Sequence, residues 1–150
     1  MSRVSSIISL SLMAVLILVV SSEADSKSTV VITSRSLTAD NKAHTALFEG
    51  SVVAKTDDMT IYADRMLVYY DEKKGEIRKI DASGNVKVVK GDRIITSKEA
   101  TYWQDGRVIF TGEPMATQGD NIITGSEILY IIKEDMAVVK DSKAILKKKD

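Results

Sequence analysis

The chain has 150 residues, room for one domain of ordinary size but not for two. Lys plus Arg number 21 and Asp plus Glu number 21, so no net positive charge favours nucleic acid, and none is expected as a partner. The absence of Cys excludes disulfides, thiol catalysis and thiolate metal sites, and one Pro with eight Gly is not the composition of a disordered linker.

Residues 1–24 read as a cleaved signal peptide. Arg3 supplies a short positive segment, residues 7–20 form an apolar run interrupted only by Ser9 and Ser11, and Ser22-Glu23-Ala24 offers the small residues a signal peptidase reads. The alternative is a retained membrane anchor, but a spanning helix needs roughly 20 apolar residues, more than this run supplies. No Cys follows the run, so a lipoprotein anchor is not available. Residues 25–150 are then the mature domain.

From residue 29 onward the pattern is that of β-strands. Ile61, Ala63, Met66, Val68 and Tyr70 alternate with polar or outward residues, with one shift of phase near Asp64-Arg65. Turn chemistry follows at Asp40-Asn41-Lys42, Glu72-Lys73-Lys74-Gly75, Gly91-Asp92, Gln104-Asp105-Gly106, Gly119-Asp120-Asn121 and Lys133-Glu134-Asp135. No stretch of the mature chain has a helical period, so the expected class is all-β.

Three ungapped copies of one unit can be superimposed, beginning at Gly50, Gly84 and Gly112, spaced by 34 and 28 residues. Each reaches a polar turn at Asp58, Asp92 or Asp120 and continues as Ile61-Tyr62-Ala63, Ile95-Thr96-Ser97 or Ile123-Thr124-Gly125. A half copy precedes them, from Ile32-Thr33-Ser34 to Leu37 and Ala39. Each copy is an antiparallel pair with one apolar side. The inward positions of the first are Phe48, Val52, Ala54, Ile61, Ala63, Met66 and Val68. Those of the second are Ala82, Val86, Val88, Ile95, Ala100 and Tyr102. The third contributes Phe110, Ala116, Ile123, Ile128, Tyr130 and Ile132. The three glycines interrupt long strands at matching places, where glycine marks a bend or bulge. Eight or so bent strands would stack as a curled two-sheet or jelly-roll structure. The stack leaves edge strands near residues 29–39 and 137–146, and exposed edges invite pairing with another chain unless a charged cluster such as Lys140-Asp141-Ser142-Lys143 blocks it.

No catalytic constellation is found. His44 stands alone beside a turn and reads as a solvated turn residue. The paired carboxylates Asp57-Asp58, Asp71-Glu72 and Glu134-Asp135 sit at turns without the alternation of a calcium loop, and the Gly-Asp pairs lack the strand-to-helix setting of a phosphate cradle. An enzyme is not expected, nor any cofactor or metal. The basic residues Lys143 and Lys147-Lys148-Lys149 form either a solvated tail or a contact for anionic phosphates. The interior is rich in Val, Ile, Met and Ala, with two Phe and one Trp in the whole chain. It reads either as an ordinary β-sandwich core or as a trough for linear acyl chains, each buried methylene contributing ~0.8 kcal/mol. Alternation cannot separate the two.

The stretch Phe48-Glu49-Gly50-Ser51-Val52-Val53-Ala54-Lys55, followed by Ile61-Tyr62-Ala63-Asp64-Arg65-Met66-Leu67-Val68, resembles the OstA-like repeat. So does Asp120-Asn121-Ile122-Ile123-Thr124-Gly125-Ser126-Glu127-Ile128-Leu129-Tyr130-Ile131-Ile132-Lys133-Glu134. The resemblance covers residues 30–146 and points to the periplasmic bridge member of the OstA-like family of lipopolysaccharide transport. It implies a V-shaped, partly open antiparallel β-jelly roll whose interior holds the acyl chains of lipopolysaccharide. Phe48, Val52, Ile61, Ala63, Met66, Val68, Val86, Val88, Ile95, Tyr102, Phe110, Ile123, Ile128, Tyr130 and Ile132 would then line the lipid path. It also implies head-to-tail self-association, and strand addition to an LptC-type inner-membrane protein and an LptD-type outer-membrane protein through the edges at Val31, Ile32, Thr33 and at Ala144, Ile145, Leu146. An LptC-like anchored member would keep its N-terminal segment. The N-terminal domain of LptD would be followed by an outer-membrane barrel, and none follows here. A structural β-repeat protein of the envelope with a closed dry core is the alternative from another class.

Overall fold

A strand that must serve two sheets has to reverse its pleat at one point, and the repeated glycines supply that point. In the computed structural model, which describes residues 16–21 and 27–148, thirteen strands and no helix are found among the described residues. They are β1 (Leu16–Ser21), β2 (Lys27–Thr33), β3 (Ser36–Asp40), β4 (Thr45–Lys55), β5 (Thr60–Tyr70), β6 (Ile77–Lys90), β7 (Arg93–Trp103), β8 (Arg107–Thr111), β9 (Met115–Gln118), β10 (Asn121–Thr124), β11 (Glu127–Ile131), β12 (Met136–Lys140) and β13 (Lys143–Ile145). All pairings are antiparallel.

The four long strands β4 to β7 are bent, and each contributes one half to either layer. The first layer runs β1, β2, the second half of β4, the first half of β5, the second half of β6, the first half of β7, then β9, β10 and β13. The second runs β3, the other halves of β4 to β7, then β8, β11 and β12. Each layer is open at both ends, an all-β, jelly-roll-like arrangement.

The bend is a repeated bulge. Gly50-Ser51 stands opposite Asp64 alone, and Gly84-Asn85 opposite Lys98 alone. At both bends, and at Gly112-Glu113, glycine and its successor have positive φ: 85° and 47°, 78° and 48°, 77° and 55°. An L-residue pays for this region sterically, so glycine takes the first place and Ser, Asn or Glu the second. Glycine is also needed for space, because the neighbouring strand's side chain lies across the bend. A Cβ on Gly50 would fall 2.9 Å from Arg35 Cβ, and one on Gly112 2.5 Å from Lys98 Cβ. Backbone bonds from Arg35 N to Gly50 O (3.0 Å) and from Lys98 N to Gly112 O (2.9 Å) hold the two sides of the bend together.

The third copy departs from the first two. At Gly112-Glu113-Pro114 and again at Gly125-Ser126 the chain breaks into separate strands, which is why thirteen elements replace the eight or so expected. Pro114, fully buried, has no N–H to continue a ladder, and Gly125 passes within 2.5 Å of Lys140 O measured from its Cβ position. The cluster Lys140-Asp141-Ser142 is not an edge block but the last bend, between β12 and β13. Asp141 has φ 50°, its carboxylate accepts from Ser126 Oγ at 2.7 Å, and Ser126 N donates to Lys140 O at 3.0 Å.

Gly112 and Gly119 separate the two demands on glycine. Both have positive φ, but nothing lies within 4 Å of a Cβ at Gly119. Gly112→Ala should therefore destabilise the fold by about 2 kcal/mol or more and Gly119→Ala by about 1 kcal/mol, read by urea unfolding. Equal losses would show that the space at the bend is irrelevant.

Candidate functional site

Pairing between strands aligns side chains on one face into rows that cross each layer. In the first layer, successive Cα partners give Ile32, Ala54, Ile61, Val88, Ile95, Ala116, Ile123 and Ala144. In the second they give Leu37, Phe48, Met66, Ala82, Ala100, Phe110, Ile128 and Val139, with a parallel row of Ala39, Ala46, Val68, Ile80, Tyr102, Val108, Tyr130 and Ala137. These rows reach from one edge of each layer to the other, and their central members belong to one apolar cluster.

Every sequence-expected interior position faces this space or borders it. Phe48, Val52, Ala63, Met66, Val68, Val86, Val88, Phe110, Ile128 and Tyr130 are buried, and Ile61, Ile95, Tyr102 and Ile132 pack partly buried against them. Ile123 is half-buried in the first-layer row. Phe48 and Phe110, both 1% exposed, sit in the same row of the second layer and each contributes about 1.5–3 kcal/mol through burial. Burial is uneven. In the first layer Ile32, Ala54 and Val88 are buried with Ile61 half-buried between them, whereas Ile95, Ala116 and Ile123 are all half-buried and Ala144 is exposed. The first layer is thus more tightly filled at the N-terminal end of the stack than at the C-terminal end, whereas the second layer stays buried through Phe110 and Ile128. Ser97, the buried polar exception, has its hydroxyl donated to Glu99 O at 2.8 Å.

The edges differ from the expectation of one strand at each end. Each end presents one edge per layer: β1 and β3 at one end, β12 and β13 at the other. Val31 and Ile32 lie on β2, whose outer side is covered by β1 in the register Ile17↔Val31 and Leu16↔Ile32, and Thr33 ends the same strand. Ala144 and Ile145 lie on β13, paired only with β10, and Leu146 follows at 69% exposed. Met136, Val138 and Ile145 are also exposed, an apolar fringe on the two C-terminal edges. The cleavage signal Ser22-Glu23-Ala24 lies outside the described residues, as does Lys149. Among the described residues no helix is long and apolar enough to cross a membrane.

A polar network escaped the sequence reading. It joins the hairpin between β6 and β7, in the first layer, to the hairpin between β11 and β12, in the second. Arg93 holds Asp135 with both guanidinium nitrogens, at 2.6 and 3.0 Å. Tyr130 Oη donates to Asp135 Oδ1 at 2.6 Å, and Lys90 Nζ donates to Tyr130 Oη at 3.4 Å. Lys90 also lies 3.6 Å from Asp58. The signal was present: Lys90 keeps the phase of Val88, and Arg93 that of Ile95, across the Gly91-Asp92 turn. His44, by contrast, is a turn residue with φ 54° whose carbonyl accepts from Tyr70 N at 3.1 Å. Two clefts of about 660 and 350 Å³ lie elsewhere, one lined by Tyr69, Lys79 and Trp103 and the other at the bend by Asn85, Lys98 and Glu113. Among the described residues no cluster of His, Cys, Asp or Glu could hold a metal.

Hydrogen bonds from Arg93 and then Tyr130 hold the Asp135 carboxyl down to about 2. The depressed value means that the network is complete above the ordinary carboxylate range near 3.8 and is lost as pH falls through about 2. Carboxyl-resolved NMR should place the Asp135 midpoint near 2 in the wild type and move it up toward 3.8 in Arg93→Gln. An unchanged midpoint in that variant would show that Arg93 does not hold the carboxylate.

Comparison with known proteins gives the geometry a family. The fold matches the crystal structure of LptH, "the LptA homologous periplasmic component of the conserved lipopolysaccharide transport device from Pseudomonas aeruginosa", with a TM-score of 0.71 over 79% of this chain and 95% of that one. At 14% identity this likeness establishes a shared fold. No curated protein sequence matches the chain. The family model "LptA/(LptD N-terminal domain) LPS transport protein" matches residues 31–136, from the middle of β2 to the start of β12, well over half the chain. The protein belongs to this family of lipopolysaccharide-transport proteins, which are transport proteins and not enzymes.

Proposed function

We propose that the mature chain is a periplasmic bridge that takes lipopolysaccharide from the inner toward the outer membrane, holding its acyl chains between the two layers. The observation that carries this reading is the continuity of the apolar rows from edge to edge, Ile32 to Ala144 in one layer and Leu37 to Val139 in the other. An acyl chain moving along such rows exchanges one apolar wall for another and never exposes a methylene to water. A row that runs out at both edges can continue into a second copy.

The edges supply the joint. Strand addition needs unpaired backbone donors and acceptors. At the C-terminal end β12 and β13 present them together with exposed Met136, Val138 and Ile145. We infer that the next copy, or an LptD-type outer-membrane protein, adds there. At the N-terminal end an LptC-type inner-membrane protein, or the preceding copy, adds beside β2 and β3. Removal of residues 1–24 as a signal peptide would take β1 with it and leave Val31, Ile32 and Thr33 on the open edge. A closed structural core draws support from the tight packing around Phe48, Met66 and Val68.

Photoreactive residues separate the two. At Ile61, Ile95 and Ile123 they should capture lipopolysaccharide in cells, and at Tyr62, Lys87 and Thr124, of opposite phase, they should capture little. Equal labelling of both sets, or of neither, contradicts a lipid path. Pro at Ala144 or Ile145 should reduce pull-down of the downstream partner at the position whose N–H points outward, with the monomer still folded by circular dichroism. Normal pull-down by both variants would exclude β13 as the joint.

A further inference from the structure

The interior rows of the first layer are apolar until they reach the hairpin between β6 and β7. There, two positions beyond Val88 and two before Ile95, Lys90 and Arg93 are Cα partners on the interior face. Both side chains are partly open to solvent, at 31% and 44% exposure. They border the loosened part of the first layer, where Ile95, Ala116 and Ile123 are half-buried. Their counter-charge comes from the other layer: Asp135, 46% exposed, stands in a turn at φ 47° and meets the guanidinium through both oxygens.

We propose that Lys90 and Arg93 form a binding site for the phosphate head of an acyl lipid, with Asp135 as the resident anion that the phosphate displaces. The site deepens the transport reading and rests on it. An amphipathic ligand with its chains between the layers must keep its charged head out of the apolar interior, and the rim carrying Lys90 and Arg93 borders the loosened rows directly. The chemistry fits as well as the place. The planar guanidinium that meets two carboxylate oxygens side by side offers the same fork to two phosphate oxygens, and the Lys ammonium adds a point charge. Because Asp135 belongs to the other layer, displacement also parts the two hairpins, so that arrival of the head releases the rim as the chains enter. Tyr130, whose hydroxyl bonds Lys90 and Asp135, then keeps a donor for either anion.

Titration calorimetry on the purified chain, with probes below their micelle concentrations, tests this. Dodecyl phosphate and dodecyl maltoside share a chain and differ in head charge, and inorganic phosphate supplies the head alone. The wild type should bind dodecyl phosphate at least tenfold more tightly than dodecyl maltoside, and inorganic phosphate far more weakly than either. Arg93→Gln should abolish the preference while leaving dodecyl maltoside affinity unchanged. Asp135→Asn should strengthen dodecyl phosphate binding several-fold by removing the competitor, so that the two variants move in opposite directions. Arg93→Lys, which keeps the charge but not the fork, should fall between wild type and Arg93→Gln. If both alkyl probes bind but the preference is absent or survives in all variants, the head site is wrong and the lipid interior stands. If neither alkyl probe binds, both readings fall. Inorganic phosphate binding as tightly as dodecyl phosphate would reduce the site to a simple anion contact and overturn the proposal.

Discussion

Everything in this fold depends on strands that change layer at a common line. A strand crossing from one sheet to the other must bulge, and each bulge must leave room for the side chain of the strand beside it. Gly50, Gly84 and Gly112 meet both demands with a positive φ and no Cβ, while Arg35, Asp64 and Lys98 lie across them from the neighbouring strands. With the crossings aligned, the two layers face each other without any separate linker. Their apolar rows come into register, and the hairpins all end on the far rims. The line of bends thus creates one apolar space with two open ends, a shape a closed barrel does not have.

Much of this was legible from the residues. The period-2 alternation and the copies beginning at Gly50, Gly84 and Gly112 gave the strands, the bends and the inward faces. Even the half copy Ile32 to Ala39 proves to be one crossing, with Ile32 on β2 and Leu37 and Ala39 on β3. What alternation could not show was which layer each half-strand joins. A repeat of hairpins predicts one edge at each end, whereas bent strands give two, so residues 137–146 divide into β12 and β13 around Asp141. Positive φ at Ser51, Asn85 and Glu113 was equally hidden, since nothing in those side chains demands it. The phase of Lys90 and Arg93 marked two interior charges, but their partner was hidden for a related reason: the network joins residues 42 positions apart, from Arg93 to Asp135, across two layers.

Burial along the rows gives the fold a direction. At the N-terminal end Ile32, Phe48, Val52, Met66 and Val68 are almost wholly removed from water, and this half holds the layers together. At the other end the first layer thins, with Ile95, Ala116 and Ile123 only half covered over the buried Phe110 and Ile128 of the second, and the layers are joined at the rim by a solvent-accessible ion pair, a weak and reversible clasp. A carrier needs both properties in one molecule. On the proposed transport reading, the packed end would keep the chain folded when empty, and the looser first-layer end would take up an acyl chain at little cost in native contacts.

The central claim is that this second half opens to receive lipid while the first does not. Pulsed electron–electron resonance between spin labels measures it directly, with one pair at Thr117 and Leu129, on opposite layers of the loose end, and another at Val53 and Leu47, on opposite layers of the packed end. On addition of lipopolysaccharide the account predicts that the Thr117–Leu129 distance lengthens and the Val53–Leu47 distance stays fixed. Bound lipopolysaccharide with both distances unchanged, or with both lengthening together, would contradict it.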